Sequence, residues 1–506
     1  MVHRYLGIAV GALMLMWFAS GVVMMYVPYP QLSPAQRLQV LAPISPAQCC
    51  SAPAIRLKDD EPIAVVQLKM QSGRLIALIR PDGQPPFESA LADSAPLASG
   101  AGQARNIALD AAPRITGQNA RIISADVIDR DQWTVAEDYE FARPLYRFTF
   151  DDPRRTQVYV SGSSGDIVLF TTRAERFWNW FGAVPHWLYF TQLRSNGLLW
   201  SKIVIWTSIA GGFLTLVGLY IGISQFRRGS RISPYRSWNY WHHLAGLGFG
   251  VLALTWVVSG TISMNPWGFL EGGGGNERAA LIGDPLPWSA YRDSLARLND
   301  NAALAGAVSL TGAPQNGRLF WLARWPDERV LRMDDGGRAA PAAPAELFHE
   351  AQLVANGKTI ASQGLMTAED SYYYRTPGSD RLTLPVYRVV LADAAQTRYY
   401  FDPRDGFLVG RVDADRRGYR WLFDGLHHLD FFAWLRVRPL WDAVMLLLLL
   451  GGIAITGSGC YLAVRRIGRD MRSVTRLVQA MTVARFPQFL MGNRPSAADS
   501  QRRNNR

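Results

Sequence analysis

Four uninterrupted apolar blocks, residues 5–27, 203–226, 239–264 and 441–464, constrain this chain more than any other feature. A bilayer core about 30 Å thick takes about 20 apolar residues in a helix, because in lipid every backbone N–H and C=O must be satisfied within the segment. Each block meets that length, so a membrane protein with four transmembrane α-helices is expected. The first block is longer than the apolar core of a cleaved signal peptide, and no small-x-small site precedes Pro28, so it reads as a retained span. The average composition, 49% hydrophobic and 19% charged, conceals this partition.

Orientation follows from arginine. Arg227, Arg228, Arg231 and Arg236 lie between the second and third blocks with no acidic residue among them, and Arg465, Arg466, Arg469, Arg472 and Arg476 follow the fourth. The positive-inside rule puts both segments, and with them both termini, in the cytoplasm. The expected organisation is a first span (residues 1–28), an extracytoplasmic domain (29–200), a second span (201–226), a basic loop (227–238), a third span (239–265), a second extracytoplasmic domain (266–440), a fourth span (441–465) and a basic tail (466–506). Anionic headgroups and topology account for these arginines and for part of the formal net charge of +12, so no nucleic-acid partner is expected. The three cysteines form no CxxC or zinc spacing. Cys49 and Cys50 are adjacent in an exported segment, where they are either joined or incidental, and Cys460 lies in the last span.

An internal repeat organises the chain. The first and third spans align His3 with His242, Gly7 with Gly246, Gly11 with Gly250, Trp17 with Trp256, Ser20 with Ser259 and Gly21 with Gly260. Further on, one ungapped register pairs Pro144 with Pro385, Arg147 with Arg388, Tyr159 with Tyr400, Trp180 with Trp421, His186 with His427, Trp200 with Trp441 and Gly218 with Gly459. Matches at Gly, His, Trp and Pro are informative where matches at Leu or Val between two spans are not. Halves running in the same direction imply a pseudo-two-fold axis along the membrane normal.

Each exported segment reads as α+β. Residues 63–79 alternate around Gln71-Ser72-Gly73 and residues 157–170 around Ser163-Ser164-Gly165, two hairpins with a helix expected near residues 104–112. The second segment carries strand patterns at residues 318–323 and 330–333, a helix at 344–355 and a closing hairpin around Asp402 to Gly406. Gly272 to Gly275 reads as a linker rather than a phosphate loop, because no strand and helix flank it.

Helix, strands and a final hairpin of the form Tyr-x-Asp-x-x-x-Gly, from Tyr400 through Asp402 to Gly406, resemble a PepSY domain. The opening His3-Arg4-Tyr5-Leu6-Gly7, the Trp241-His242-His243-Leu244-Ala245-Gly246 that begins the third span and the Leu426-His427-His428 before the fourth are similar to the PepSY-associated transmembrane-helix family. That resemblance covers the chain to about residue 466. It implies two PepSY-like domains in the periplasm of a bacterium whose inner membrane holds the spans. It also implies similarity to inner-membrane ferric-siderophore reductases, with ferric siderophore as substrate.

Six of the seven histidines fall at membrane boundaries. His3 and His242/His243 open the first and third spans, His186 and His427/His428 precede the second and fourth, and His349 lies apart beside Glu346 and Glu350. Ionisable side chains at such depths are costly and carry a partner or a function. Two histidines facing each other from different helices suit haem, whose iron takes neutral imidazole axially while an apolar bundle surrounds the macrocycle. Two b-type haems are expected, one held by His3 and His242, the other by His186 and His427. Adjacent helical residues point about 100° apart, so His243 and His428 stand as alternatives to their neighbours, not equivalents. Arg4, Arg194 and Arg436 are placed either to meet haem propionates or to anchor the interface.

Two haems at opposite faces would carry electrons across the membrane. The cytoplasmic segments are too short for a flavin or nicotinamide domain, so the donor must be a quinol or another protein. A rival of a different class is a membrane-anchored PepSY module that binds and restrains a partner without redox chemistry. A transporter is disfavoured, because four spans without acidic residues in their middles leave little translocation path.

Overall fold

The computed structural model describes residues 1–45, 49–50, 55, 57–91, 100–227, 229, 232–270, 277–375 and 382–485. Arg228, Arg231, the Gly272 to Gly275 linker and the end of the basic tail lie outside the described residues. Six helices carry the argument: α1 (Val2–Met24), α2 (Ala101–Thr116), α3 (Gly197–Ser224), α4 (Trp238–Ser263), α5 (Pro344–Ala355) and α6 (Leu440–Arg485).

Helices α1, α3, α4 and the Leu440–Arg476 part of α6 are long and apolar enough to cross a membrane, and only 17–33% of each apolar window is buried within the protein. The remainder of that apolar surface faces outward, which lipid accommodates and water does not. This is a multi-pass membrane protein. Helix α6 runs past the apolar block because residues 465–485 contain no proline and are rich in arginine, a good helix former. An i,i+4 pair from Arg466 to Asp470 at 2.9 Å supports the extension.

The chain divides into two compact units. The first comprises residues 1–18, 210–254 and 447 onward, and its elements among the described residues are helices. Glycine permits close approach here: a Cβ on Gly452 of α6 would lie 2.6 Å from Cδ1 of Phe18 on α1. Helices packed in lipid gain from dispersion contacts rather than from hydrophobic transfer, so small residues at crossings are needed.

The second unit, residues 19–209 and 255–446, contains three antiparallel sheets. Strands β1 (Pro62–Gln71), β2 (Arg74–Pro81), β3 (Phe87–Ala90), β4 (Ile122–Ile128), β5 (Leu145–Phe150), β6 (Gln157–Ser161) and β7 (Ile167–Thr171) precede α3. Strands β8 (Ser309–Gln315), β9 (Arg318–Arg324), β10 (Val330–Met333), β11 (Ile360–Met366), β12 (Val386–Leu391), β13 (Arg398–Phe401) and β14 (Leu408–Val412) follow α4. The β1–β2 hairpin turns at Ser72 and Gly73, both at positive φ, which is the two-residue turn whose twist matches the strands. Asn316 and Gly317 do the same between β8 and β9.

Sheet β4-β5-β6-β7 is covered by α2, whose Ala104, Ile107, Ala108 and Ala111 pack on Phe148, Phe150, Val158 and Val160. Sheet β11-β12-β13-β14 is covered by α5 in the same way, with Leu347, Ala351 and Val354 against Val389, Leu391 and Phe401. The likeness extends to polar anchors. Arg147 and Tyr159 donate to Asp131 at 3.1 and 2.8 Å, as Arg388 and Tyr400 do to Asp370, both at 3.2 Å. The hairpins and helices read from the sequence are present, and α5 has the expected limits.

The third sheet was not anticipated. It runs β10-β9-β8-β1-β2-β3, with Val66 opposite Gly312 and Lys69 opposite Ser309, and a two-residue strand at Leu286–Pro287 also pairs with β1. Strands from segments separated by two spans thus share one sheet and one core, in which Leu68, Ile79, Trp288, Tyr291 and Trp321 are buried. Cys49 and Cys50 are joined by a disulfide and buried in that core. Exposed Trp178, Trp180 and Trp187 before α3, and Trp421 and Trp434 before α6, form the aromatic residues expected at a membrane interface.

Beneath α5 lies a buried polar group. Arg332 bonds Gln315 at 2.8 Å and Glu346, and Asn316 donates to Glu350 at 2.6 Å. Burial first, and the Glu346 carboxylate second, push Glu350 up to about 7. Because an unfolded glutamate titrates near about 4.3, its protonated form stabilises the fold below that pH, and this contribution is lost as pH rises through about 7. Melting temperatures of detergent-solubilised protein should therefore fall between pH 5 and 8, and Glu350→Gln should flatten the fall and raise stability at pH 8. An unchanged slope in the variant would assign the pH dependence elsewhere.

Candidate functional site

The repeat-related histidines come together as two pairs. In the helical unit, His3 of α1 faces His242 of α4 with ring centroids 6.1 Å apart. His3 Nδ1 lies 3.1 Å from the Leu214 carbonyl oxygen of α3. A carbonyl only accepts, so Nδ1 carries the proton and the lone pair is on Nε2. His242 Nδ1 likewise donates to the Ile455 carbonyl at 3.1 Å and to Ser458 Oγ at 3.0 Å, both on α6. The Ser458 hydroxyl is itself directed to Ala454 O at 2.6 Å and Ile455 O at 2.9 Å, which leaves its oxygen as the acceptor.

An imidazole reaches a helix carbonyl only where the helix surface is bare. Gly218 stands one turn after Leu214, and a Cβ there would lie 2.7 Å from His3 Cε1. Gly459 stands one turn after Ile455, and a Cβ there would lie 3.2 Å from His242 Cε1. The repeat of glycine at 218 and 459 therefore has a steric reason.

In the sheet-bearing unit, His186 closes the helical turn Ala183–His186 and His427 lies in the turn Leu426–His428, with ring centroids 6.3 Å apart. Here the partners are serines. Ser20 Oγ of α1 is 3.0 Å from His186 Nδ1, and Ser259 Oγ of α4 is 3.0 Å from His427 Nδ1. Ser259 sends its proton to Trp256 O at 3.0 Å, so it accepts from His427 and again leaves the lone pair on Nε2. Trp256 Nε1 in turn donates to the His427 carbonyl at 3.0 Å, and Phe423 stacks on the ring.

The alternatives at each site are placed differently. His243 is buried with both nitrogens occupied: Nε2 donates to Gly222 O at 2.9 Å and Nδ1 accepts from Ser233 at 2.8 Å. It is a strut tying the loop to α3. His428 is more exposed, with Nδ1 3.7 Å from Asp424. His349 is exposed on α5. Arg4 is exposed beside His3. Arg194 pairs with Glu137 at 3.3 Å and lies over the Trp200 ring, whereas Arg436 pairs with Asp430 and lies over Tyr374.

Two imidazoles that ligate one ion from opposite sides through nitrogen–metal bonds of about 2 Å place their ring centres about 6 Å apart. Both pairs have that separation. A ligating histidine ordinarily donates its other N–H to a carbonyl or similar acceptor, as three of these rings do by hydrogen-bond logic. Among the described residues no group of three or more His, Cys, Asp or Glu is placed to hold a metal ion. What the geometry offers at each pair is two facing imidazoles, not a closed cage.

The profile of the PepSY-associated TM region matches residues 1–466. The chain belongs to the PepSY-associated transmembrane family. No curated protein matches it. In this PepSY-associated protein the sequence reading singled out the facing histidines but missed the acceptors that orient them, Leu214 O, Ile455 O, Ser259 and Ser458. A signal for Ser20 and Ser259 was present in the repeat, which pairs them, whereas a backbone acceptor leaves no mark beyond the glycine one turn on.

Loss of the His243 ring strands a buried hydroxyl and carbonyl at a cost of about 1–3 kcal/mol. His243→Ala should accordingly lower the denaturation midpoint in detergent, while His428→Ala, at a partly exposed position, should change stability by no more than about 0.5 kcal/mol. Equal effects in the two variants would remove the strut assignment.

Proposed function

We propose that this PepSY-associated membrane protein is a two-haem electron-transfer protein that reduces siderophore-bound ferric iron outside the bacterial inner membrane. The observation that carries the reading is the twofold recurrence of facing imidazoles about 6 Å apart with Nδ1 turned to an acceptor. The matched sheets and repeated residues support an origin by duplication. Arg227, Arg236, Arg465, Arg466 and Arg469 support cytoplasmic termini, and hence periplasmic placement of the residue 29–200 and 266–440 domains.

His3 and His242 would hold one haem b, His186 and His427 the other. His242 is favoured over His243 because both His243 nitrogens are engaged, and His427 over His428 because it faces His186. A haem held by two imidazoles supplies a one-electron couple between ferric and ferrous iron. The residues fix the Nδ1 proton, present Nε2 and exclude water with an apolar bundle. Arg4, exposed beside His3, would meet propionates at the first site, whereas Arg194 and Arg436 would exchange Glu137 and Asp430 for them.

Each ferric ion released as ferrous takes one electron. A quinol supplies two electrons and releases two protons on becoming quinone, so one quinol matches two ferric ions; a donor protein is the other source. An apolar cavity of about 760 Å³ along α4 and α6, with Trp241, Phe249 and Ser458 in its wall, suits a quinol drawn from the bilayer.

Purified protein should show low-spin b-type bands, with a pyridine haemochrome assay giving two haems per chain. His242→Ala and His427→Ala should each remove one and leave the protein folded. Retention of both haems in either variant would refute the ligand assignment. Stopped-flow mixing of reduced protein with ferric siderophores should reoxidise it, and failure with several chelate classes would point to another acceptor. A colourless, folded protein would favour the membrane-anchored binding module.

A further inference from the structure

The two histidine pairs are alike in spacing and unlike in what stands against their Nδ1 atoms. His3 and His242 donate to carbonyls within helices, Leu214 O and Ile455 O, with Ser458 adding a second acceptor to His242. His186 and His427 have hydroxyl oxygens at the corresponding positions, Ser20 and Ser259. A carbonyl inside a helix is polarised by the hydrogen-bond chain to which it belongs, and is a stronger acceptor than a serine hydroxyl. The stronger the acceptor at Nδ1, the more electron density the ring gives through Nε2, and the more the ferric state of a ligated iron is favoured.

We infer that these acceptors set a potential difference between the two sites: Leu214 O and Ile455 O hold the His3/His242 couple low, while Ser20 and Ser259 leave the His186/His427 couple high. The inference rests on the haem reading. An electron leaving ferrous iron at the first site then reduces ferric iron at the second, one oxidised as the other is reduced, with no proton moved. In the proposed topology this is the direction from cytoplasm to periplasm. Ser20 and Ser259 act through the ligands and are positioning residues, as are the glycines that admit His3 and His242 to their carbonyls.

The symmetry of the chain makes this distinct from a difference between halves. Ser20 and Ser259 are repeat-related, as are Leu214 with Ile455 and Gly218 with Gly459. The asymmetry is therefore between the two ends of the spans and is contributed by both halves. Only Ser458, with Val217 at the corresponding position, breaks the match, and it strengthens the bias in the same sense.

The test is a spectropotentiometric titration of the two-haem protein in nanodiscs, with low-spin electron paramagnetic resonance to follow each site. Two components are expected, separated by at least a tenfold preference, which is 59 mV for a one-electron couple. Ser259→Ala should move only the higher component, and move it upward. Gly218→Ala, which pushes His3 from Leu214 O, should raise only the lower. If Ser259→Ala loses its haem, Ser20→Ala probes the same site through its other ligand, and Ser259→Thr should retain the wild-type value. Coincident potentials, a reversed order, or unshifted components in serine variants that keep both haems would overturn the inference while leaving the haem reading intact. A haemochrome assay that finds no haem removes both, and is read before any titration.

Discussion

An N–H carried into a lipid-embedded bundle needs an acceptor inside it, and every histidine brings one. For a helix the acceptor of each backbone N–H is supplied by the helix itself, which is why the spans are helices at all. For an imidazole it must come from a neighbour, and most of a helix surface is closed to it by side chains. The structure solves this with glycine at 218 and 459, opening Leu214 O and Ile455 O, and with serine at 20 and 259 where the rings lie outside the helices they meet. Where Nδ1 is bonded to a carbonyl, or to a serine whose own proton is used, the tautomer follows and the lone pair is left on Nε2. The same constraint explains His243, which finds acceptor and donor for both nitrogens and so becomes structural.

Outside the spans a different constraint operates. A four-stranded sheet with one helix buries one face, as α2 and α5 do, and leaves its edges and the other face to be managed. The mixed sheet joins β1 and β8 across segments that the chain separates by α3 and α4. Lys69 of β1 bonds Asp166 at 2.6 Å, and Gln315 of β8 donates to Gly406 O at 3.1 Å, so the shared sheet is tied to each flanking sheet near its closing hairpin. The sheet-bearing unit is thus tied together by strands from both segments.

How much of this was readable depended on whether the signal was local. The four spans, the hairpins at Ser72-Gly73 and Ser164-Gly165 and the limits of α5 follow from period, turn residues and length, which neighbours in sequence decide. The pairing of His3 with His242 and of His186 with His427 was readable because the repeat supplies long-range information that a single pattern lacks. Strand β8 and its register against β1 were not readable: its Gly312 and Pro314 depress strand character, and its partner lies more than two hundred residues away. The burial of Glu350 was hidden for a related reason, since α5 places it against Asn316 and Arg332 of another sheet. Glu137 and Asp430, the carboxylates that the fold brings to Arg194 and Arg436, were not readable as their partners because both contacts depend on the fold.

Symmetry then sets what an electron conduit of the proposed kind has to break. Two equal halves facing across a pseudo-two-fold axis make equal contributions to any site on that axis, so differences between halves cannot give direction along it. Differences between ends can. In this chain the residues at one end of the spans offer helix carbonyls to the histidines and those at the other offer hydroxyls, and both choices are made twice. On the proposed duplication the chain would be symmetric about the membrane normal and polar along it, with the polarity written in the atoms beside Nδ1 rather than in the proposed ligands themselves.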